Sequence, residues 1–445
     1  LTGNTVTVAN TETINIDGTD TAANGGAAAI NTMTLTAAAA TKVAVTGNNG
    51  LNLTATSSTA IVDFDASAVV GNSTTARANV AATTDSAANL AVTYTSLNAT
   101  ANAAVSIKGG AGNDTLSGSA GAVNVDAISG GAGDDTIQGG SGADVLDGGA
   151  NAATGGDTVT YADVTAATSH SLTNLSGMAI NLGATDVVQG TIASAMGGTV
   201  VIGGGAGVAG SALAAGTVGY LSTTAANSTA TMVRDTVTNF EKVIGSGLAD
   251  YINGSAGADT ITGGLAADYI TGGAGADDFI FTSGLSIDTI SDFVSGTDDA
   301  VFSLSALETA GAVIAGNTAD IIDGDGTSLA AGATMVVLDI AAATNLTTTA
   351  TVLNYTAATV ANAAALETAL EAGGGLLTTE ATTGVVAADS MLAMYDNGTN
   401  IVLAMVEFTA TVAAGTQVAA VDVTDIATLT GVTTDLVAGD FGLIA

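Results

Sequence analysis

The chain has 445 residues, 41 of them acidic against 5 basic, for a formal net charge of -36, and it contains neither cysteine nor proline. That balance excludes nucleic acid as a partner, because phosphate binding needs clustered Lys and Arg, and it argues against docking on an anionic membrane through a basic patch. A mean hydropathy of +0.50 excludes an acidic disordered chain, and no disulfide can form, so core, metal or assembly must stabilise the fold.

Lys42, Lys108, Lys242, Arg77 and Arg234 are the only bases, so counter-cations are the expected neutralising partners. Lack of proline suits long ladders in which every backbone N–H is used. No apolar run reaches the ~18 residues a membrane helix needs; the best, Ala330 to Leu346, is broken by Asp339. No membrane span is expected, and Leu1 opens no recognisable secretory leader.

Residues 1–108 read as short strands rich in Val, Ile, Thr and Leu: Thr13–Asp17, Met33–Thr36, Lys42–Thr46, Leu51–Ala55, Ala60–Asp65, Leu90–Thr95 and Ala104–Lys108. Three begin at Lys42, Leu51 and Ala60, nine residues apart. Alternation at Val43/Val45, Leu51/Leu53 and Val62/Phe64 turns one apolar face inward, as in a solenoid or sandwich. Residues 109–161 repeat in nine-residue frames: Gly109–Ser117 (GGAGNDTLS), Gly118–Ser129 (three residues longer), Gly130–Gln138, Gly139–Asp147 and a degenerate frame ending at Tyr161. Residues 162–244 read as an irregular β insertion. The repeat returns as Gly245–Asn253, Gly254–Thr262, Gly263–Thr271 and Gly272–Ile280, with a cap to residue 302. Residues 303–445 read as a β-rich domain with small helices. Thr359–Ala372 is a predicted helix with Leu366 and Leu370 on one face, and Met391–Glu407 a predicted hairpin around Asp396-Asn-Gly398.

The frame is GGxGxDxUx, with U large and apolar. Its glycines permit positive φ and leave carbonyls exposed; its Asp adds carboxylate oxygens; xUx is a minimal strand. The U residues are Leu116, Ile128, Ile137, Leu146, Val159, Ile252, Ile261, Ile270 and Phe279. Two frames make one coil, so like turns stack eighteen residues apart. Calcium between stacked turns would take ~6–8 hard oxygen ligands. The expected partners are Asp114 with Asp135, Asp126 with Asp144, Asp135 with Asp157, Asp250 with Asp268, and Asp259 with Asp277. The candidate ligand set is completed by Gly109, Gly110, Gly112, Gly130, Gly131, Gly133, Gly139 and Gly142 in the first block. In the second it is completed by Gly245, Gly247, Gly254, Gly257, Gly263, Gly272, Gly273 and Gly275. Without metal, a column of carboxylates faces itself.

Enzyme readings are weak. His170 is the only histidine, which forbids HExxH zinc chemistry; no GxSxG elbow is present; His170, among Ser and Thr, reads as a surface residue. Glu367 and Glu371, at i,i+4 on the predicted helix, read as an exposed face rather than an acid–base pair. The sequons Asn72-Ser-Thr74 and Asn227-Ser-Thr229 are expected by chance in a Thr-rich chain. No catalytic residue is assigned.

The nonapeptides resemble those of RTX proteins. The lead-in at Val45–Gly71 (VTGNNGLNLTATSSTAIVDFDASAVVG), then LAVTYTS and VSIKGGAGNDTLSG, is similar to the RTX-type surface-layer (S-layer) proteins of Gram-negative bacteria, of the Caulobacter kind. The resemblance covers residues 10–300 best, and the end Phe441-Gly-Leu-Ile-Ala445 is loosely similar to C-termini of type I secretion substrates. It implies a parallel β-solenoid and calcium β-roll, which with the C-terminal β-rich domain and its small helices read above makes the expected fold all-β. It further implies Ca2+ as cofactor, export by the type I secretion machinery, lattice formation with itself, and anchoring to lipopolysaccharide or another surface polysaccharide. The family's separate anchoring domain has no obvious counterpart in residues 1–100, so either it precedes Leu1 or the protein attaches differently. The expected role is a secreted structural protein of a cell-surface lattice; the alternatives are an RTX adhesin or biofilm matrix protein, or the calcium-roll part of a larger secreted enzyme. Acids outside the nonapeptides are candidate bridges between subunits: Asp17, Asp20, Asp63, Asp65, Asp298, Asp299, Asp320, Asp323 and Asp325.

Overall fold

The computed structural model describes residues 2–19, 30–71, 87–98, 100, 103–119, 125–151, 155–166, 175–197, 200–202, 212–222, 235–282, 286–303, 335–340, 344–345, 351–371, 377–378, 389–413, 416, 418, 420–432 and 436–444. His170, both sequons, Arg77, Arg234, Asp20, Asp320, Asp323 and Asp325 lie outside these. The chain is all-β and forms two compact units, Leu1–Ser246 and Gly247–Ala445.

In the first unit, successive strands alternate between two parallel sheets. One sheet runs Thr2–Thr7, Asn31–Thr36, Leu51–Thr56, Val92–Thr95, Thr115–Ser117, Thr136–Gln138, Thr158–Thr160 and Lys242–Ile244. The other runs Thr13–Gly18, Lys42–Gly47, Asp63–Val69, Ala104–Lys108, Val125–Ala132, Val145–Ala150 and Asp235–Thr238. This is a parallel β-solenoid, and the repeat coils continue it without a break in either sheet. In-register pairing stacks like on like. Tyr94, Leu116, Ile137, Val159 and Val243 form one inward column, and Phe64, Ile107, Ile128, Leu146 and Val237 the other, all buried. Each buried Leu or Ile contributes ~1.5–3 kcal/mol, and Phe64 stacks on Tyr94 with ring centroids 3.9 Å apart.

The expected strands of residues 1–108 are present with small shifts. Leu90 ends a short helix, Ala87–Leu90, so its strand starts at Val92; the strand placed at Ala60 starts at Asp63. The insertion is more regular than its composition suggests. Leu175–Asn181 pairs antiparallel with Thr217–Ser222, and Gln189–Ala195 is helical. It also ends earlier than residue 244: Asp235–Thr238 and Lys242–Ile244 rejoin the two solenoid sheets.

The second unit repeats the arrangement. Thr260–Thr262, Asp278–Phe281, Asp299–Ser303 and Phe441–Ile444 form one parallel run; Tyr251–Asn253, Tyr269–Thr271, Asp288–Ile290 and part of Val421–Thr430 form the other. Asp440, fully buried, seats the tail by accepting from the Ser295 hydroxyl (2.7 Å), the Gly296 N–H (2.6 Å) and the Val437 N–H (2.7 Å). The predicted hairpin is Ser390–Asp396 against Asn400–Phe408, its turn fixed by the Gly398 N–H donating to Asp396 (2.7 Å). The predicted helix is Ala363–Glu371, capped by Asn362, whose Oδ1 accepts from the Ala365 N–H (3.0 Å). Leu366 and Leu370 pack into a cluster with Tyr395, Val406, Phe408 and Val421. Glu367 and Glu371 are half-buried rather than exposed, and the Val421 N–H donates to Glu371 Oε1 (2.7 Å). No helix among the described residues is long and apolar enough to cross a membrane.

Candidate metal centre

A frame's residue types force its geometry. Gly131 and Gly133 of the frame GGAGDD hold φ of +115° and +128°, which lets the chain reverse within one turn. The first glycine is needed for a different reason. At Gly130 a methyl group would overlap both Asp135 Oδ2 and the carbonyl oxygen of Gly148 on the next coil. Gly109 is held the same way by Asp114 and the Gly130 carbonyl, and Gly254 by Asp259 and the Gly272 carbonyl. A carboxylate oxygen of one turn and a carbonyl of the next therefore share a pocket that only glycine leaves open.

The nine Asp residues of the frames are all buried, none more than 2% exposed. Each acts as a rung. The Asp114 N–H donates to Asp135 Oδ1 (2.7 Å) and the Asp135 N–H to Asp157 Oδ1 (2.7 Å), while the Asp126 N–H donates to Asp144 Oδ1 (2.8 Å). In the second unit the Asp250 N–H donates to Asp268 Oδ1 (2.8 Å) and the Asp259 N–H to Asp277 Oδ1 (2.9 Å). The five expected pairs thus lie on adjacent coils, 18 residues apart in three cases and 21 or 22 in two.

Both columns extend further than the repeat pattern. The Asp144 N–H donates to Asp235 Oδ1 (2.9 Å) and the Asp157 N–H to Glu241 Oε2 (3.0 Å). The Asp268 N–H donates to Asp288 Oδ1 (3.0 Å) and the Asp277 N–H to Asp298 Oδ1 (3.1 Å). Asp298, expected on the outer surface as a subunit bridge, is instead buried in the ladder, where its Oδ2 also accepts from the Val294 N–H (2.7 Å). Gly118 and Gly148, absent from the expected set, are close-approach glycines as well. Gly257, in that set, meets only the Ser255 hydroxyl at 3.5 Å and needs no special backbone. Gly245 is buried and Gly247 half-buried ahead of Asp250. Of the other proposed bridging acids, Asp63 pairs with Lys42 Nζ (2.6 Å), Asp65 accepts from the Ser67 N–H (3.1 Å) and hydroxyl (2.6 Å), Asp17 is exposed beside Thr19, and Asp299 is half-buried.

The electrostatics are those of an uncompensated column. Burial first, and neighbouring carboxylates second, push the carboxyls up: Asp114 to about 7 and Asp126 to about 6 through burial, Asp135 to about 8 through burial and the charges of Asp114 and Asp157. Burial and the facing Asp235 raise Asp144; burial and the facing Asp250 and Asp288 raise Asp268. Asp126 Oδ1 and Oδ2 of Asp135, Asp144, Asp157 and Asp268 are buried with no hydrogen-bond donor. An orphaned buried carboxylate oxygen costs several kcal/mol unless a cation meets it.

These residues fit a hard divalent cation. The available donors are carboxylate and backbone oxygens, the set calcium takes. Among the described residues no three acidic, His or Cys side chains converge on one point, so backbone carbonyls must supply much of any coordination shell. A small octahedral ion that keeps its waters suits such a flexible carbonyl cradle poorly. Bound calcium would neutralise the columns and tie adjacent coils together, with Asp114, Asp126, Asp135, Asp144, Asp157, Asp250, Asp259, Asp268 and Asp277 holding it.

Comparison with known families agrees with this chemistry. The model of the RTX calcium-binding nonapeptide repeat, in four copies, matches residues 104–122, 124–154 and 244–279. No curated protein matches the chain. The stacked turns, the glycine-gated pockets and the buried carboxylate ladder are thus those of RTX calcium-binding repeats, and this chain carries them in both of its units.

Proposed function

We propose that this chain is a secreted, noncatalytic structural protein whose calcium-dependent folding prepares it to assemble, with copies of itself, into an S-layer lattice at the cell surface. The observation that carries the reading is continuity. In the first unit the repeat coils are not a module hung on another domain: the strands of residues 2–108 run into them through the same two sheets. Metal that orders the repeat would therefore order the whole solenoid, which suits a building block. The charge of -36 supports a cation-dependent assembly, because bare subunits repel. Asp17, Asp63, Asp65 and Asp299 remain candidates to face cations between subunits.

Export fits the same chemistry: calcium-poor cytosol leaves the columns repulsive and the chain threadable for a type I system, and external calcium folds it. Lipopolysaccharide or another surface polysaccharide is the proposed anchor.

The test is a calcium titration of the purified chain, followed by circular dichroism and light scattering together, with electron microscopy at the end point. Folding is expected first and sheets at higher calcium, since sites between subunits are less pre-organised. Folded protein that stays monomeric at high concentration in millimolar calcium would overturn the lattice reading in favour of an adhesin.

A further inference from the structure

The coil that returns after the insertion has no glycine at all from Asp235 to Val243, and it lies between the segments matched by the repeat family, which end at 154 and resume at 244. It nevertheless takes up repeat positions. Its strands pair in register with Val145–Ala150 and Thr158–Thr160. Asn239 falls where the stacked coils have their first glycine, in the left-handed region at φ +58°, a conformation that Asn tolerates better than other non-glycine residues. Its side-chain N–H donates to Asp147 Oδ1 (2.7 Å), which fixes the turn. A methyl group on Gly148 would overlap the Asn239 carbonyl oxygen and lie 2.6 Å from Asp157 Oδ2. The carbonyl of the returning coil and the carboxylate of the last repeat frame thus converge on one glycine-gated pocket.

Asp157 is 0% exposed, and its Oδ2 has no hydrogen-bond donor. Glu241 takes the next rung, accepting the Asp157 N–H at 3.0 Å through Oε2. The other end of the same coil is closed differently: Tyr161 donates its hydroxyl to Asp235 Oδ2 (3.0 Å), so that oxygen already has a donor. On the Asp157 side, the carbonyl oxygen of the returning coil and a buried carboxylate oxygen that lacks a donor both face the Gly148 position.

We propose that Asp157, Asn239 and Glu241 form a further divalent-cation site, of the calcium class, which fastens the returning coil to the first roll. The ligands are one orphaned carboxylate oxygen, one backbone carbonyl and a second carboxylate longer by one methylene than the Asp of the repeat frames. The site joins positions 84 residues apart (Asp157 and Glu241), so it closes the insertion into a loop. Holding both ends removes loop entropy that the short strands must otherwise offset. The site rests on calcium binding by the rolls and is independent of lattice assembly.

The experiment is native mass spectrometry of the full chain in calcium, comparing wild type with Glu241→Gln. Glutamine keeps an oxygen to accept the Asp157 N–H but removes the charge. The expected result is one fewer bound calcium per chain with the remaining ions retained; an unchanged count and affinity would overturn the site. If Glu241→Gln does not fold, anomalous diffraction from calcium-grown wild-type crystals decides. A peak beside Asp157 Oδ2 and the Asn239 carbonyl supports the site. Peaks elsewhere in the rolls but not there overturn it alone, and no peaks in either roll overturn it together with the calcium reading.

Discussion

The first repeat block and the C-terminal hairpin layer solve the same problem with opposite means. Thr136–Gln138 buries one apolar side chain, Ile137, and its turn buries a carboxylate, Asp135. Asn400–Phe408 buries eight of its nine residues, both faces covered. The hairpin layer carries its own hydrophobic stabilisation; the repeat coil has one buried large side chain per strand, set against charges that repel. The repeat coil is therefore expected to need its carboxylates neutralised to be stable, and the hairpin layer is not.

The largest effect expected is from chelation. Hydrogen exchange on calcium-free protein should show residues 109–160 and 245–280 unprotected, while Ser390–Asp396 and Asn400–Phe408 retain slow amides. Equal loss of protection in both regions would erase the contrast. Next in size is pH. The ladder carboxyls are raised above their unfolded value when the chain is folded without metal, so their neutral form favours folding. That stability is fully present below about pH 4 and is lost as pH rises through the values of about 6 to 8 of Asp126, Asp157, Asp114 and Asp135. Metal-free roll should therefore regain strand signal by circular dichroism at pH 4.5 relative to pH 8.5. With saturating calcium the trend should reverse, because the bound ion needs ionised carboxylates.

Gly130→Ala should come next. Its methyl group enters the pocket shared by Asp135 Oδ2 and the Gly148 carbonyl, so calcium affinity should fall and stability in calcium drop by ~1–3 kcal/mol. Gly257→Ala, where a methyl group meets only the Ser255 hydroxyl at an ordinary contact distance, is the matched control and should be close to neutral in urea unfolding. The smallest effect is a gain. Ala266 sits at φ +68° where the neighbouring frame has Gly275 at φ +145°. Ala266→Gly should relieve the left-handed strain and raise the midpoint by up to ~1 kcal/mol of stability, partly offset by glycine's entropy in the unfolded chain.

Much of this architecture is legible in the sequence because each frame carries its own geometry: glycine where two coils touch, Asp where a rung is needed, one large apolar residue where the core is. The returning coil was not legible by that pattern, since Asn239 and Glu241 substitute for glycine and aspartate and 74 residues separate Tyr161 from the Asp235 it contacts. A shorter signature does reveal it. Asp114-Thr-Leu116, Asp135-Thr-Ile137, Asp157-Thr-Val159, Asp235-Thr-Val237, Asp259-Thr-Ile261 and Asp288-Thr-Ile290 share a tripeptide in which Asp is the rung and the third residue the core. Asp298 is hidden for the opposite reason: it lies in a polar run, Gly296-Thr-Asp-Asp299, and only the register of Asp278–Phe281 with Asp299–Ser303 takes it into the ladder.

Phe441–Ile444 ends as an in-register neighbour of Asp299–Ser303, with Asp440, Phe441 and Leu443 buried. The strand it needs as a template belongs to the run that begins in the second roll. Until that run is built the tail has no strand to pair with, and once the run is complete it is a seam inside the fold. On the export reading proposed above, folding would withdraw a signal carried by the tail, and the timing of calcium arrival would set how long it could be read.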